Sequence, residues 1–322
     1  NSKSSSKEHA VDAARKRIKS NRIEISNVKD IARSVVAGHR EDLAKAITLI
    51  ESELASDRPL AQCLLREIKT LTQRSEENKT VRIGITGIPG VGKSTFIERL
   101  GIDLINEGHR VAVLAVDPSS RRTGGSILGD KTRMNKLSAH SRAYIRPTSS
   151  GSQLGGLAKN TRLAMLLCEA AGYNTILIES VGVGQGETEV AQLTDLFTLV
   201  LNPGGGDELQ GIKRGIMEMA DIIVINKADG DAERQANLTA KEYSMALHLM
   251  PENGNKWIPK VITSSALQDK GIDTFWEKAF DFEKRITSGD WKATRRKEQM
   301  HYWARKSVQD LMLAKLDNYE EA

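Results

Sequence analysis

Two periods of apolar residues run along the chain. From about residue 9 to 79 the apolar positions recur at helical spacing. In 40–57 they are Leu43, Ala46, Ile47, Ile50 and Leu54, and in 59–74 they are Leu60, Leu64, Ile68 and Leu71. Pro59 suits a first helical turn, where its missing N–H costs nothing. The polar stretch Ser75–Lys79 marks the exit from this helical layer.

Beyond it the period changes. Short continuous runs rich in Val and Ile stand at Val81–Thr86, Val111–Val116, Thr175–Ile178, Leu196–Leu201, Ile222–Ile225 and Lys260–Thr263. Helical patterns separate most of them, including Ser94–Glu107, Thr161–Ala171 and Gly211–Met219. Such runs alternating with helices predict buried parallel strands with crossover helices on both faces, a three-layer α/β fold with a mostly parallel sheet. The chain then turns helical again, with Ile272, Phe275, Trp276, Ala279 and Phe280 as one apolar face and a further helix over about 294–317. The expected organisation is a helical extension over 1–79 with disordered first residues, a nucleotide-binding domain over 80–270, and a second helical extension over 271–322.

Between the first strand and its helix lies Gly87-Ile88-Pro89-Gly90-Val91-Gly92-Lys93-Ser94, a complete GxxxxGK[ST] phosphate loop. Its glycines let backbone N–H groups curl around phosphate oxygens, and the following helix adds its positive end. Lys93 can reach the β- and γ-phosphates, the Ser94 hydroxyl can coordinate Mg2+, and Thr95 can contact the α-phosphate.

The base is read from Asn226-Lys227-Ala228-Asp229, directly after the run Ile222–Ile225. The Asp229 carboxylate can accept two hydrogen bonds from guanine, whereas adenine would leave it buried and unpaired. The Lys227 stem can lie along the base, and Asn226 can tie this loop to the phosphate loop. Ser264-Ser265-Ala266-Leu267, after the last strand, matches the small loop whose backbone N–H groups meet the guanine oxygen. Together these make GTP or GDP the expected ligand.

A hydrolytic site also needs carboxylates for a metal and a group to place water. Asp117 follows the run Val111–Val116, at a carboxyl end where ligands collect, and Asp130 lies in the Gly-rich Gly124–Asp130. Glu179 opens Glu179-Ser180-Val181-Gly182, the DxxG of ordinary GTPases with Glu in the Asp position. Its carboxylate can hold a metal-bound water or act on the attacking water, the Gly182 N–H can sense the γ-phosphate, and Gln185 can orient the water. Whether Glu179 or Gln185 places that water is left open by the residues alone.

The chain resembles the MeaB/ArgK family of GTPases, chaperones of adenosylcobalamin-dependent methylmalonyl-CoA mutase, similar to the methylmalonic aciduria type A protein. The resemblance rests on Ala115–Ser120, Thr123–Met134 (TGGSILGDKTRM), Glu179–Gln185 (ESVGVGQ), Gly205–Gly215 (GGDELQGIKRG) and Met219–Asp231 (MADIIVINKADGD). It implies a SIMIBI-class G domain with helical extensions, and a protein that binds an acyl-CoA mutase and uses GTP to gate loading and protection of its adenosylcobalamin. Asp117 and Asp130 then correspond to acids near magnesium and Glu179 to a catalytic acid. The resemblance makes Gly205–Gly215 a switch, with Asp207, Glu208, Gln210, Lys213 and Arg214 as partner-coupling residues. A homodimer is the family's usual assembly, built in part from a further C-terminal arm. Here the sequence ends at Asn318–Ala322, which puts that mode of pairing in question.

Composition narrows the classes. Of 322 residues 39% are hydrophobic and 28% charged, ordinary for a globular protein. Aromatics at 4% are too few for a base-stacking platform. A net charge of +5, with short clusters at Arg15–Lys19 and Arg295–Lys297 that read as solvated helix faces, predicts no nucleic-acid partner. No apolar run predicts a membrane span, and Asn1–Ser6 reads as a disordered lead rather than a signal peptide. Cys63 and Cys168 sit in apolar helical patterns without a CxxC pair or His cluster, so they are expected as reduced buried thiols, suited to a bacterial cytoplasm or a mitochondrial matrix.

Two alternatives compete with the chaperone reading. A metal-insertion GTPase would need a Cys/His metal site. A kinase acting on amino-acid transport proteins would need a hydroxyl acceptor and a base near the γ-phosphate. No built-in arginine finger stands out, so intrinsic GTP hydrolysis is expected to be slow and stimulated by a partner.

Overall fold

The computed structural model describes residues 27–72, 80–117, 134–149, 156–180, 186–204, 214–249 and 256–320. The chain divides into two compact units, Asn1–Glu76 and Glu77–Ala322.

In the first unit three helices, α1 (Val28–Val36), α2 (Arg40–Glu51) and α3 (Arg58–Thr72), pack their apolar stripes together. Val28, Ala32, Val35, Leu43, Ala46, Ile47 and Leu64 are buried there. Gly38, at φ +84°, makes the turn between α1 and α2, and Ser34 Oγ donates to Asp42 Oδ2 at 2.5 Å across it. The periodicity over 40–57 overreached. Helix α2 stops at Glu51, and Leu54 lies in the following turn, 55% exposed.

In the second unit the described residues form one seven-stranded sheet in the order β3-β2-β4-β1-β5-β6-β7. The strands are β1 (Val81–Thr86), β2 (Val111–Asp117), β3 (Ala143–Ser149), β4 (Thr175–Ser180), β5 (Leu196–Leu201), β6 (Ile222–Ile225) and β7 (Lys260–Thr263). Every pairing is parallel. Helix α4 (Lys93–Asn106) follows β1, and the short α5 (Asn135–Ala139) precedes β3. Next come α6 (Gly156–Ala170), α7 (Gly186–Ala191), α8 (Arg214–Met219), α9 (Glu233–His248), α10 (Ile272–Ser288) and α11 (Trp291–Glu320).

The central strands β4, β5 and β6 are buried along their whole length, which is why they read as unbroken apolar runs. Strand β3 escaped the sequence reading. It is an edge strand of sequence AYIRPTS, and an edge tolerates both the polar alternation and Pro147. The wholly parallel sheet places all seven carboxyl ends along one edge, and β1 lies between β4 and β5 at its centre.

The apolar face of α10 differs in part from the expected one. Ile272, Phe275, Ala279, Phe282 and Ile286 are buried, whereas Phe280 is 59% exposed. Phe275 meets Phe96 of α4 edge-on, with ring centroids 5.1 Å apart.

Helix α11, longer than expected, is fastened by side chains to carbonyls at the turn between α7 and β5. Gln299 Nε2 donates to Thr194 O (2.9 Å), Trp303 Nε1 to Gln192 O (3.0 Å) and Arg295 Nη2 to Ala191 O (3.4 Å). Lys306 pairs with Glu189 on the same side. Beside them Arg296 forks onto buried Asp195, with Nε to Oδ1 at 2.8 Å and Nη2 to Oδ2 at 2.6 Å. Asp195 Oδ2 also accepts the backbone N–H of Arg82 at 3.0 Å. The Arg295–Lys297 cluster is therefore only partly a solvated face, because Arg296 is part-buried and turns in to meet Asp195.

Candidate nucleotide site

The phosphate loop joins β1 to α4 at the centre of the carboxyl edge. Gly87 has φ +151°, and a Cβ there would stand 2.2 Å from Val200 O of β5. Gly92 has φ +94°, and a Cβ there would stand 2.6 Å from Asn226 Nδ2. Both glycines thus serve backbone conformation and close approach at once. Val91 anchors the loop, with its side chain fully buried in the main core, while Pro89 and Gly90 are exposed.

The first bond across the start of α4 runs from Phe96 N–H to Gly92 O at 3.0 Å. The N–H groups of Lys93, Ser94 and Thr95 precede it and so lack an intrahelical acceptor, the usual state of a helix start that can take an anion. Lys93 is 7% exposed, and its ammonium donates to Gly87 O at 2.7 Å and Ile88 O at 3.1 Å, inside the loop.

From β4, Glu179 reaches across to the helix start. Ser94 Oγ donates to Glu179 Oε1 at 2.9 Å, and Glu179 is 9% exposed. Hydroxyl and carboxylate oxygens of this kind suit Mg2+, which keeps several waters and takes few protein ligands. Among the described residues no group of three or more His, Cys, Asp or Glu could hold a metal. Asp117 ends β2 at the same edge, one residue past Val116, which lies opposite Ser180.

The base loop follows β6. Asn226, 2% exposed, donates through Nδ2 to Val91 O at 2.8 Å. Lys227 adopts φ +59° and its ammonium donates to Gly90 O at 2.7 Å. Both side chains therefore bind the phosphate loop directly. Asp229 is held by the hydroxyl of buried Ser265, which donates to Oδ2. Ala228 N–H donates to Ser264 O at 3.0 Å, which docks the loop after β6 on the loop after β7. The Ser265 N–H donates to Lys270 O at 3.0 Å, while Ala266 is half-buried and Leu267 is 83% exposed.

Asp130, Gly182, Gln185, Asp207, Glu208, Gln210 and Lys213 lie outside the described residues. Arg214 is the first residue of α8. The sequence pattern does not signal one further contact at the site. Ser180 Oγ donates to Thr86 Oγ1 at 2.6 Å, both groups buried, between the strand that leads into the phosphate loop and the strand that carries Glu179. A hydroxyl at each strand end was the only local trace of it.

The sequence profile described as "Methylmalonyl Co-A mutase-associated GTPase MeaB" matches residues 43–321. The chain belongs to this family. It is accordingly a GTPase, as the phosphate loop and base loop anticipate. It is similar to the "GTPase ArgK" of Escherichia coli, 48% identical over 276 residues that cover 86% of this chain and 82% of that protein. It is equally similar to the "Methylmalonic aciduria type A homolog, mitochondrial" of Mus musculus, 48% identical over 285 residues covering 87% and 68% of the two chains. A crystal structure described as "LAO/AO transport system kinase" superposes with a TM-score of 0.77 and 39% identity, covering 92% of this chain and 87% of that one. The proteins this chain is similar to thus carry both GTPase and kinase descriptions. No helix among the described residues is long and apolar enough to cross a membrane.

Proposed function

We propose that this chain is a chaperone that uses a GTP cycle to gate loading and protection of adenosylcobalamin in an acyl-CoA mutase of the methylmalonyl-CoA type. The nucleotide half of the reading is carried by one observation: the base-loop residue Asn226 is hydrogen-bonded to the phosphate loop at Val91 O. A single ligand spanning both loops, guanine at Asp229 and phosphates over Gly87–Thr95, accounts for that junction. The partner half rests on the family, whose description names a mutase-associated GTPase.

In this reading Gly87, Ile88, Pro89, Gly90, Val91 and Gly92 wrap the phosphates. The Lys93 ammonium neutralises charge that builds on the β–γ bridging oxygen as it leaves. Ser94, Asp117, Asp130 and Glu179 would hold Mg2+, which would supply charge neutralisation for the phosphates. Glu179 or Gln185 orients a water in line with the bond to be broken. The water oxygen bonds to the γ-phosphorus, the bond to the β-phosphate oxygen breaks, and GDP and phosphate leave. Gly182 and the segment with Asp207, Glu208, Gln210, Lys213 and Arg214 pass the nucleotide state to the partner. We read 1–79 as an N-terminal helical extension, 80–270 as the G domain and 271–322 as a C-terminal helical extension. We expect intrinsic turnover to be slow and stimulated by the partner, because the sequence offers no obvious built-in arginine finger.

The test is co-purification of a mutase from native extract on immobilised protein, with GDP and with a non-hydrolysable GTP analogue. Nucleotide-dependent mutase capture, together with nucleotide-dependent transfer of adenosylcobalamin to the purified mutase, is the expected result. Capture and transfer indifferent to nucleotide would overturn the gating reading. Rapid transfer of labelled phosphate to a protein acceptor would support the kinase reading instead.

A further inference from the structure

Glu179 and the phosphate loop lie on neighbouring parallel strands, and their relative position is set where those strands end. The β1–β4 register runs from Val81 opposite Thr175 to Ile85 opposite Glu179. One residue further along each strand stand Thr86 and Ser180, and there the contact is a side-chain one, Ser180 Oγ to Thr86 Oγ1 at 2.6 Å. Thr86 is 0% and Ser180 3% exposed, so water does not compete for this bond.

The two faces of the sheet divide the work. Side chains alternate along a strand, so Thr86 shares a face with Gly84, and a Cβ on Gly84 would meet Val190 and Thr194 beside α7. Ile85 and Glu179 point to the opposite face, where Glu179 meets Ser94 of α4. The hydroxyl pair therefore clamps the two strand ends from behind, directly under the carboxylate that bonds to Ser94. The next residues along the chain are Gly87 of the phosphate loop and the segment that begins at Val181.

We infer that Thr86 and Ser180 are positioning residues for GTP hydrolysis: their hydroxyl bond holds the end of β4 against the phosphate loop and so sets the Glu179 carboxylate in place. Neither residue touches nucleotide. This rests on the reading of Glu179 as the acid of the hydrolytic site.

Thr86→Val and Ser180→Ala each remove the bond with little change of volume. Single-turnover GTP hydrolysis at saturating GTP and Mg2+ is expected to fall about ten-fold or more in each, since small displacements of a catalytic group cost on the order of 10–100-fold. Affinity for a fluorescent GDP analogue is expected to stay within about two-fold, because the loops that would grip nucleotide are untouched. The double variant is expected to lose no more than the worse single one, the signature of two groups acting through one bond. Thr86→Ser and Ser180→Thr keep a hydroxyl and are expected to hold most of the rate. Thermal unfolding of each variant shows that it is folded at the assay temperature.

Folded single variants with wild-type hydrolysis would overturn the inference, as would parallel loss of hydrolysis and GDP affinity, which marks a merely structural role. Glu179→Gln separates the two levels of the argument. If it hydrolyses GTP at the wild-type rate, the reading of Glu179 fails and this inference with it. If it is inactive while Thr86→Val and Ser180→Ala are unaffected, only the positioning role fails.

Discussion

Asn226 Nδ2 donates to Val91 O at 2.8 Å, and the space that permits it is the missing side chain of Gly92. One amide thus stitches together loops that follow β6 and β1, 135 positions apart. Gly92→Ala would set a Cβ 2.6 Å from that amide in a left-handed backbone conformation. Removing the bond with Asn226→Ala leaves Val91 O short of a partner, a loss of about 1–3 kcal/mol. We expect GDP affinity to fall roughly 10-fold or more in Asn226→Ala and further in Gly92→Ala, read by titration with a fluorescent GDP analogue. Unchanged affinity in both would mean that the junction does not organise the site.

Asp229 is held by the Ser265 hydroxyl, which orients its carboxylate on the loop after β6. A carboxylate is acceptor-only, so it suits the guanine N–H and amino donors and excludes a base that presents a carbonyl there. Asp229→Asn replaces one acceptor by a donor. Its GTP affinity is expected to drop about 100-fold or more while affinity for xanthosine triphosphate, which presents a carbonyl in place of the amino group, rises. Competition binding with the two triphosphates measures both changes.

Asp221 is buried at the start of β6 and accepts the Phe197 N–H at 2.9 Å. Burial pushes its pKa up to about 6 against the nearby Arg295 charge and that hydrogen bond. Its folded pKa lies above the ordinary 3.8, so the folded state binds the extra proton. Stability contributed by that proton is full below about pH 4 and is lost as pH rises through about 6, a swing of about 3 kcal/mol at most. Asp221→Asn keeps an acceptor and removes the titration. Its melting temperature relative to the wild-type chain is expected to climb between pH 4.5 and pH 7, and a flat difference would rule the effect out.

Asp195 shows the opposite balance. Burial raises its pKa, but the Arg296 hydrogen bonds and charge, helped by Arg82 and Lys292, outweigh burial and hold the carboxyl below its ordinary value. The pair's contribution is present above the ordinary carboxylate range and fades as pH falls through the lowered pKa. Arg296→Met strands a buried carboxylate and is expected to cost about 3–5 kcal/mol in denaturant unfolding at pH 7. The double variant Arg296→Met, Asp195→Leu should recover part of that loss. Equal destabilisation of single and double variants would show that packing, not charge, dominates.

The contiguous parts of this protein were legible from its residues. The phosphate loop, the base loop and the buried strands each show in a local run, because a fully buried parallel strand must be apolar and a phosphate cradle must be glycine-rich. The same holds for the order of those segments and for the strings that place the chain in its GTPase family.

Tertiary structure alone decided the rest. Strand β3 became visible only as the sheet's edge, and Phe280 proved exposed because α10 turns Phe282 and Ile286 inward instead. Arg296, one of three basic neighbours, is drawn inward because the buried Asp195 carboxylate accepts its hydrogen bonds. Ser94 with Glu179, Asn226 with Val91 and Thr86 with Ser180 meet because the strand order brings the ends of β1, β4 and β6 to one edge. Each pair joins residues far apart in the chain, and no local pattern of polar and apolar residues encodes which strand lies beside which.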